Sequence, residues 1–250
     1  LLNGSYQVDR LTMNAGAKLG GTGSLVAGSL EFNAGTLLTA PFQTGGTLTV
    51  LGSSTFNGTD NQDLLWSHQL HLLGNSTWTA GNGRLIVDRA YSAGNSSYPS
   101  ALLRIASGTT FTDQGAASST GFRVLGGGTV RNEGTFDRNG TGTTWVRGLV
   151  NNGTLNINTG TLGFDTGNWL NTSSGRINVA QGAELLLAAT TLSAGSLTNA
   201  GKVTVIGNDS HVEAAASISG NWQMNAGRLF IEGTQRIGTL TVNGGILTGQ

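Results

Sequence analysis

Eight short phrases in this chain place an asparagine after apolar residues and shortly before a glycine: LTMNAG (Asn14), LEFNAG (Asn33), TVRNEG (Asn132), LVNNG (Asn151), WLNTSSG (Asn171), SLTNAG (Asn199), WQMNAG (Asn225) and LTVNGG (Asn243). The first two are 19 residues apart, and from Asn132 onward the separations are 19, 20, 28, 26 and 18. The spacing reads as a period near 20 with occasional insertions of about seven. This constrains the fold more than any other feature. A unit of about 20 residues cannot bury its own apolar face, so it is stable only when stacked on its neighbours.

The residues after each Asn-Gly turn fix the kind of stack. Leu155 and Ile157 flank Asn156, Ile177 and Val179 flank Asn178, Val203 and Val205 flank Thr204, and Leu229 and Ile231 flank Phe230. Alternation with a period of two belongs to strands with one buried face. Two or three such strands per unit, bent at Asn, Gly, Thr and Ser, predict a parallel β-helix, right-handed as parallel crossovers are. Asparagines stacked at a recurring corner would bond amide to amide from coil to coil. At roughly 20–22 residues per coil, 11 or 12 coils at about 4.8 Å each would give a rod around 55 Å long. Residues 1–250 read as a single segment of a longer solenoid, with less regular coils and room for a loop insertion over 57–99. A sandwich or propeller is the competing all-β reading. It would call for antiparallel hairpins and, for blades, repeats of about 40–50 residues.

Composition agrees with many short strands and tight turns. Glycine stands at 41 of 250 residues and only 10 % are charged, against about a quarter in ordinary domains. The 13 basic and 13 acidic side chains cancel and are scattered singly, so the basic cluster that nucleic-acid binding requires is missing. No apolar run reaches the length of a membrane span. There is no cysteine, a mild pointer toward an exported surface protein.

Catalytic motifs are scarce. Gly20–Leu25 (GGTGSL) and Leu125–Val130 (LGGGTV) open no helix and read as turns. Asp209, Ser210 and His211 are consecutive, so a strand would point them in different directions. Asp60 with Asp63, and Asp88 beside Arg89, are the carboxylates to test for glycosidase spacing. The least repetitive stretch, Asn57 to Pro99, gathers Trp66, His68, His71, Trp78, Arg84, Asp88, Arg89, Tyr91 and Tyr98. Flat aromatic surface beside hydrogen-bonding groups is what carbohydrate recognition uses. Trp66, Trp78, Arg84, Asp88, Arg89, Tyr91 and Tyr98 are therefore the candidate glycan contacts. His68 and His71 fall on opposite faces of a strand and make a poor metal pair. Trp145, Trp169 and Trp222 accompany the repeat and read as apolar filler. A threonine ice-binding face would require Thr-x-Thr at one place in successive coils, and TLTV at Thr47 and Thr239 does not recur in that way.

The phrase L-x-N-x-G-x-L-x-V-x-x-G resembles the passenger and stalk regions of large secreted bacterial β-helix adhesins, both filamentous-haemagglutinin-like two-partner-secreted exoproteins and autotransporter passengers. The likeness lies in the grammar of the repeat and covers most of the chain. It implies a right-handed β-helix exported to the cell surface or matrix. The expected role is a non-enzymatic stalk that attaches cells to other cells, to surfaces or to biofilm polysaccharide. Its partners would be extracellular polysaccharide, host or neighbour cell-surface glycans or proteins, and flanking coils of the same chain. No cofactor, metal, nucleic acid or membrane span is expected. A polysaccharide-degrading β-helix enzyme of the tailspike kind and a ligand-free structural spacer are the alternatives.

Overall fold

The computed structural model describes residues 1–38, 45–57, 62–64, 67–79, 85–88, 101–115, 123–125, 128–164 and 169–249. Among these residues there is no helix, and the strands pair in parallel. The chain winds into a β-solenoid of about 10 turns with a period near 20 residues. Each full coil has three sides. Strand Thr154–Ile157, for example, lies on the second side between Thr135–Arg138 and Arg176–Val179, and strand Thr161–Phe164 follows on the third. In two early coils one nine-residue strand serves the first two sides, Ser5–Met13 and Ser24–Phe32. Fewer turns form than a uniform period gives because two coils are long. Gln69 pairs with Leu102, 33 residues on, and Leu102 with Thr129, 27 further. Elsewhere on the first side a coil takes 18 to 23, as for Arg228 with Ile246 and Ser24 with Thr47.

Strand alternation sends one set of side chains inward, and the register stacks them into columns. On the first side Leu25, Leu48, Leu70, Leu103 and Val130 follow one another in adjacent coils, all buried. On the second side Phe32, Phe56, Trp78, Asp113, Arg138, Ile157 and Val179 form one column. Phe111, Phe136, Leu155, Ile177 and Leu197 form another. Rings meet between coils: Phe32 and Phe56 at 6.0 Å, Phe56 and Phe111 at 5.8 Å, Phe111 and Phe136 stacked at 5.5 Å. Burying each such side chain contributes about 1.5–3 kcal/mol, and it does so only because the coils above and below are present.

The asparagine phrase is explained at the corner between the first and second sides. Asn132, Asn151 and Asn171 occupy successive places in an inward column that Ile105 precedes, and all three are buried. Asn132 Nδ2 donates to Asn151 Oδ1 and Asn151 Nδ2 to Asn171 Oδ1, each at 2.8 Å. Each also donates to a corner carbonyl: Thr154 at 2.9 Å, Arg176 at 3.2 Å and Ala194 at 2.8 Å. The glycine next along the chain is required by close approach. A Cβ on Gly153 would stand 2.1 Å from the Gly134 carbonyl oxygen, and one on Gly175 would stand 2.4 Å from that of Asn151.

The eight asparagines do not share one corner, which corrects the reading of a single ladder with insertions. Asn33 follows the second side and bonds Asn14 at 3.0 Å. Asn199 ends a second-side strand in register with Val179 and donates to the Asn221 carbonyl at 2.6 Å. Asn225 follows the third side and accepts from Asn243 at 2.9 Å. The separations of 28 and 26 are therefore one coil plus one side: the phrase has moved to the next corner of a three-sided turn.

One inward column interrupts its apolar run with charge. Arg138 and Asp113 are both fully buried, with Nη1 3.1 Å from Oδ1. Arg138 also donates to the carbonyls of Gly115 at 2.8 Å and Gly142 at 2.6 Å, and the Gly115 amide donates to Asp113 at 2.8 Å. Gly140 leaves the guanidinium room, since a Cβ there would stand 2.0 Å from Nη1. Burial pushes the Asp113 carboxyl up and the Arg138 guanidinium down, while their mutual attraction opposes both shifts.

Candidate functional site

With the interior assigned, the described residues open to a ligand lie on the outer columns, and the three sides differ. The second side is polar along two lanes. One runs Thr110, Thr135, Thr154, Arg176, Ser196 and Ser217. The other runs Glu31, Thr55, Thr77, Thr112, Asp137, Asn156, Asn178 and Thr198. The middle of the second lane is itself a ladder, with Asn156 donating to Asp137 and Asn178 to Asn156, both at 2.8 Å. Asn158 repeats the bond to Asn139 just past the strand. Hydroxyl and amide positions thus recur once per coil, about 4.8 Å apart. Thr110 and Thr112 form a Thr-x-Thr pair here, away from the TLTV segments that carry the same pattern in sequence.

The first side mixes charge with apolar surface. His71, Arg104 and Arg131 are neighbours in its outer column, and Arg104 makes bonds of 2.8 and 2.6 Å to Glu133. Further along, His211 stacks on Phe230 with centroids 4.4 Å apart and planes 4° from parallel. Arg228 holds Asp209 through two bonds of 2.8 and 2.7 Å. Arg10 with Glu31 and Lys202 with Glu184 likewise join adjacent coils. In each of these pairs the charge on one coil is answered by the coil beside it.

The third side carries a flat aromatic. Trp145 points outward, half-buried, and its partner in the next coil is Gly163. A Cβ on Gly163 would stand 2.3, 2.4 and 2.9 Å from Cε3, Cζ3 and Cδ2 of the indole. An in-plane approach to the Cε3–Cζ3 bond would leave Cδ2 much further off, so that point lies over the face of the ring. The indole therefore rests on the Gly163 backbone with its other face turned away from the sheet. Reading Trp145 as filler is corrected by this placement. Trp169 and Trp222 are buried, and Trp169 packs on Phe164 at 4.5 Å.

Of the sequence-based glycan contacts, Trp66, Arg84, Arg89, Tyr91 and Tyr98 lie outside the described residues. Asp88 ends strand Leu85–Asp88, paired with Leu125, and its side chain lies outside the description too. Trp78 is corrected: it is 2 % exposed and stands in the inward column between Phe56 and Asp113, where no external glycan reaches it. His68 is buried, and loss of hydration lowers its pKa to about 4, so it is not a solvated strand residue. His71 faces out, 3.1 Å from Gln69 Oε1, with its pKa lowered first by burial and then by Arg104. The two histidines do point opposite ways.

Asp60 is outside the description. Asp63 sits on the third side with its carboxyl raised by burial, at the edge of a shallow groove of about 200 Å³ that Lys18 and Thr36 also line. In the Asp209-Ser210-His211 run, Ser210 is buried and points inward between two outward neighbours, which is not the geometry of a triad. Among the described residues no group of three or more His, Asp or Glu is placed to hold a metal, and no helix is long and apolar enough to cross a membrane. Sequence reasoning missed Trp145 because the signal lay in a glycine one coil away. Trp145 and Gly163 are 18 residues apart, and the pair is visible only once the register is known.

No family model matches the chain, and neither a curated protein nor a solved structure matches it significantly.

Proposed function

We propose that this chain is a non-enzymatic extracellular segment, a rigid stalk secreted by or held at the surface of a bacterium. It would attach cells to one another, to surfaces or to biofilm polysaccharide. The observation that carries the reading is the second side, where hydroxyl and amide groups repeat in two lanes on a backbone that holds their spacing. A single hydrogen bond to a sugar hydroxyl adds little net affinity, since both partners give up water. Many identical contacts on one rod act together, because after the first forms the rest are made at high effective concentration. Rigidity supplies the reach and repetition the grip. The resemblance of the repeat to secreted adhesins points the same way.

The test is an array of polysaccharides and glycans probed with the chain, with the same mixtures assayed for newly formed reducing ends. Binding without cleavage, reduced at least tenfold when Thr154→Lys and Asn156→Lys break both lanes in one coil, supports attachment through this side. New reducing ends would overturn the reading in favour of a depolymerase. Silence in both assays would overturn it in favour of a spacer without a ligand.

A further inference from the structure

The proposed function leaves open which sugars are gripped and where, and the third side gives an answer that rests on that reading. We infer that the outer face of the Trp145 indole, laid flat over Gly163, is a stacking subsite for a pyranose ring of a β-linked, gluco-configured glycan.

Three observations carry this. First, one face of the ring lies over the Gly163 backbone, because Gly163 lacks the Cβ that would otherwise stand where the indole rests, and the half-buried residue keeps part of its surface in solvent. A solvent-facing indole beside polar groups offers the mixed surface that sugars match. A gluco-configured pyranose has equatorial hydroxyls, so its two faces are patches of axial C–H that lie on such a ring while the hydroxyls point sideways.

Second, the platform is continuous. Leu186 follows Gly163 in the same outer column and extends the apolar strip along the rod.

Third, polar groups are fixed beside the strip. Glu184 pairs with Thr161 in the neighbouring outer column. Its Oε1 accepts from Thr204 Oγ1 at 2.7 Å and lies 3.0 Å from Lys202 Nζ. Those two contacts use one oxygen of the carboxylate and one proton of the ammonium, and the groups retain further donors and acceptors. They lie two and three coils beyond Trp145, roughly 10–15 Å away at the coil spacing, within reach of later rings of a chain that runs along the rod. A pair of opposite charges favours a neutral, hydroxyl-rich ligand over a strongly anionic one.

The test is titration of the intact chain with β-1,4-linked hexasaccharides of glucose and of N-acetylglucosamine. Tryptophan emission and calorimetry are the readouts, and circular dichroism checks each variant's fold. A saturable change in emission is expected for the wild type. Trp145→Ala should lose that change and weaken binding at least tenfold. Trp145→Phe, which keeps a smaller flat ring, should recover part of it. Gly163→Ala should weaken binding comparably with Trp145 intact, because the new methyl displaces the indole. Arg228→Ala, on the first side, should leave affinity unchanged.

Equal binding by wild type, Trp145→Ala and Gly163→Ala would overturn the subsite while leaving attachment to glycans standing. A positive polysaccharide array with no response to either hexasaccharide would overturn the gluco-configured specificity alone. A silent array would remove the broader reading and this one with it.

Discussion

Arg138 and Asp113 show what a single residue can cost a solenoid. Each charge was stripped of water to enter a column that otherwise holds Trp78 and Ile157. The two answer each other, carbonyls of the bend accept from Arg138, and the Gly115 amide donates to Asp113. Removing one partner leaves the other charged and buried. Arg138→Met or Asp113→Leu alone should destabilise by about 3–5 kcal/mol, whereas the double substitution should regain most of that loss or exceed the wild type. Urea denaturation of the full cycle measures it, and additive losses would show that the two groups are not coupled. His68 gives a prediction in pH. It stays neutral in the folded chain down to about pH 4, while in the unfolded chain it is protonated below about 6.5. Between those values the unfolded state binds the extra proton, so stability is full above about pH 6.5 and lost progressively toward pH 4, by up to about 3 kcal/mol. His68→Leu should flatten that slope in denaturation midpoints taken across the window. An unchanged slope would mean the imidazole is hydrated in the folded chain.

At the scale of the strand and its corner, the Asn132–Asn151–Asn171 ladder is the element that the sequence announced most clearly and concealed most effectively. The Asn-Gly phrase and the alternation after it were enough to read a stack of coils, because both are local consequences of a bend and a half-buried strand. The number of sides was hidden. A three-sided coil lets the same phrase serve any corner, so Asn171 and Asn199 read as one ladder with an insertion although they end different sides. Which face an aromatic takes was hidden as well: Trp78 and Trp145 look alike in sequence, and a shift of one residue in register separates a core column from an outer one. The ladder also has a stability that can be measured. Asn151→Leu fits the aliphatic column that runs through Val50, Leu72 and Ile105 but orphans Asn132 Nδ2 from one partner, Asn171 Oδ1 from its donor and the Arg176 carbonyl from its bond. A loss of about 2–3 kcal/mol is expected. Replacing Asn132, Asn151 and Asn171 together by Leu should cost well under three times that, since amides then no longer face one another unpaired. Equal increments across single, double and triple variants would argue against a cooperative ladder.

On the scale of the whole rod, contacts run almost entirely between successive coils, so stability is a sum of neighbour terms and not the property of one closed core. The consequence is that damage stays local. Gly153 is a severe place to test this, because a side chain there meets the Gly134 carbonyl at 2.1 Å and backbone cannot swing aside as a long side chain can. Gly153→Val must therefore push apart the coils that hold Asn132 and Asn151, opening the ladder and the Phe136–Leu155 contact together. In a compact globule such a wedge lowers protection everywhere, because unfolding is all-or-none. In a solenoid the coils remote from the wedge keep both neighbours. Native-state hydrogen exchange should show protection falling between about residues 130 and 180. Amides in Leu48–Leu72 and in Leu185–Leu229 should hold close to their wild-type rates, and denaturation should broaden into two steps. Uniform loss of protection with one sharp transition would mean that the coils are coupled over the full length, and that this rod transmits strain from one end to the other.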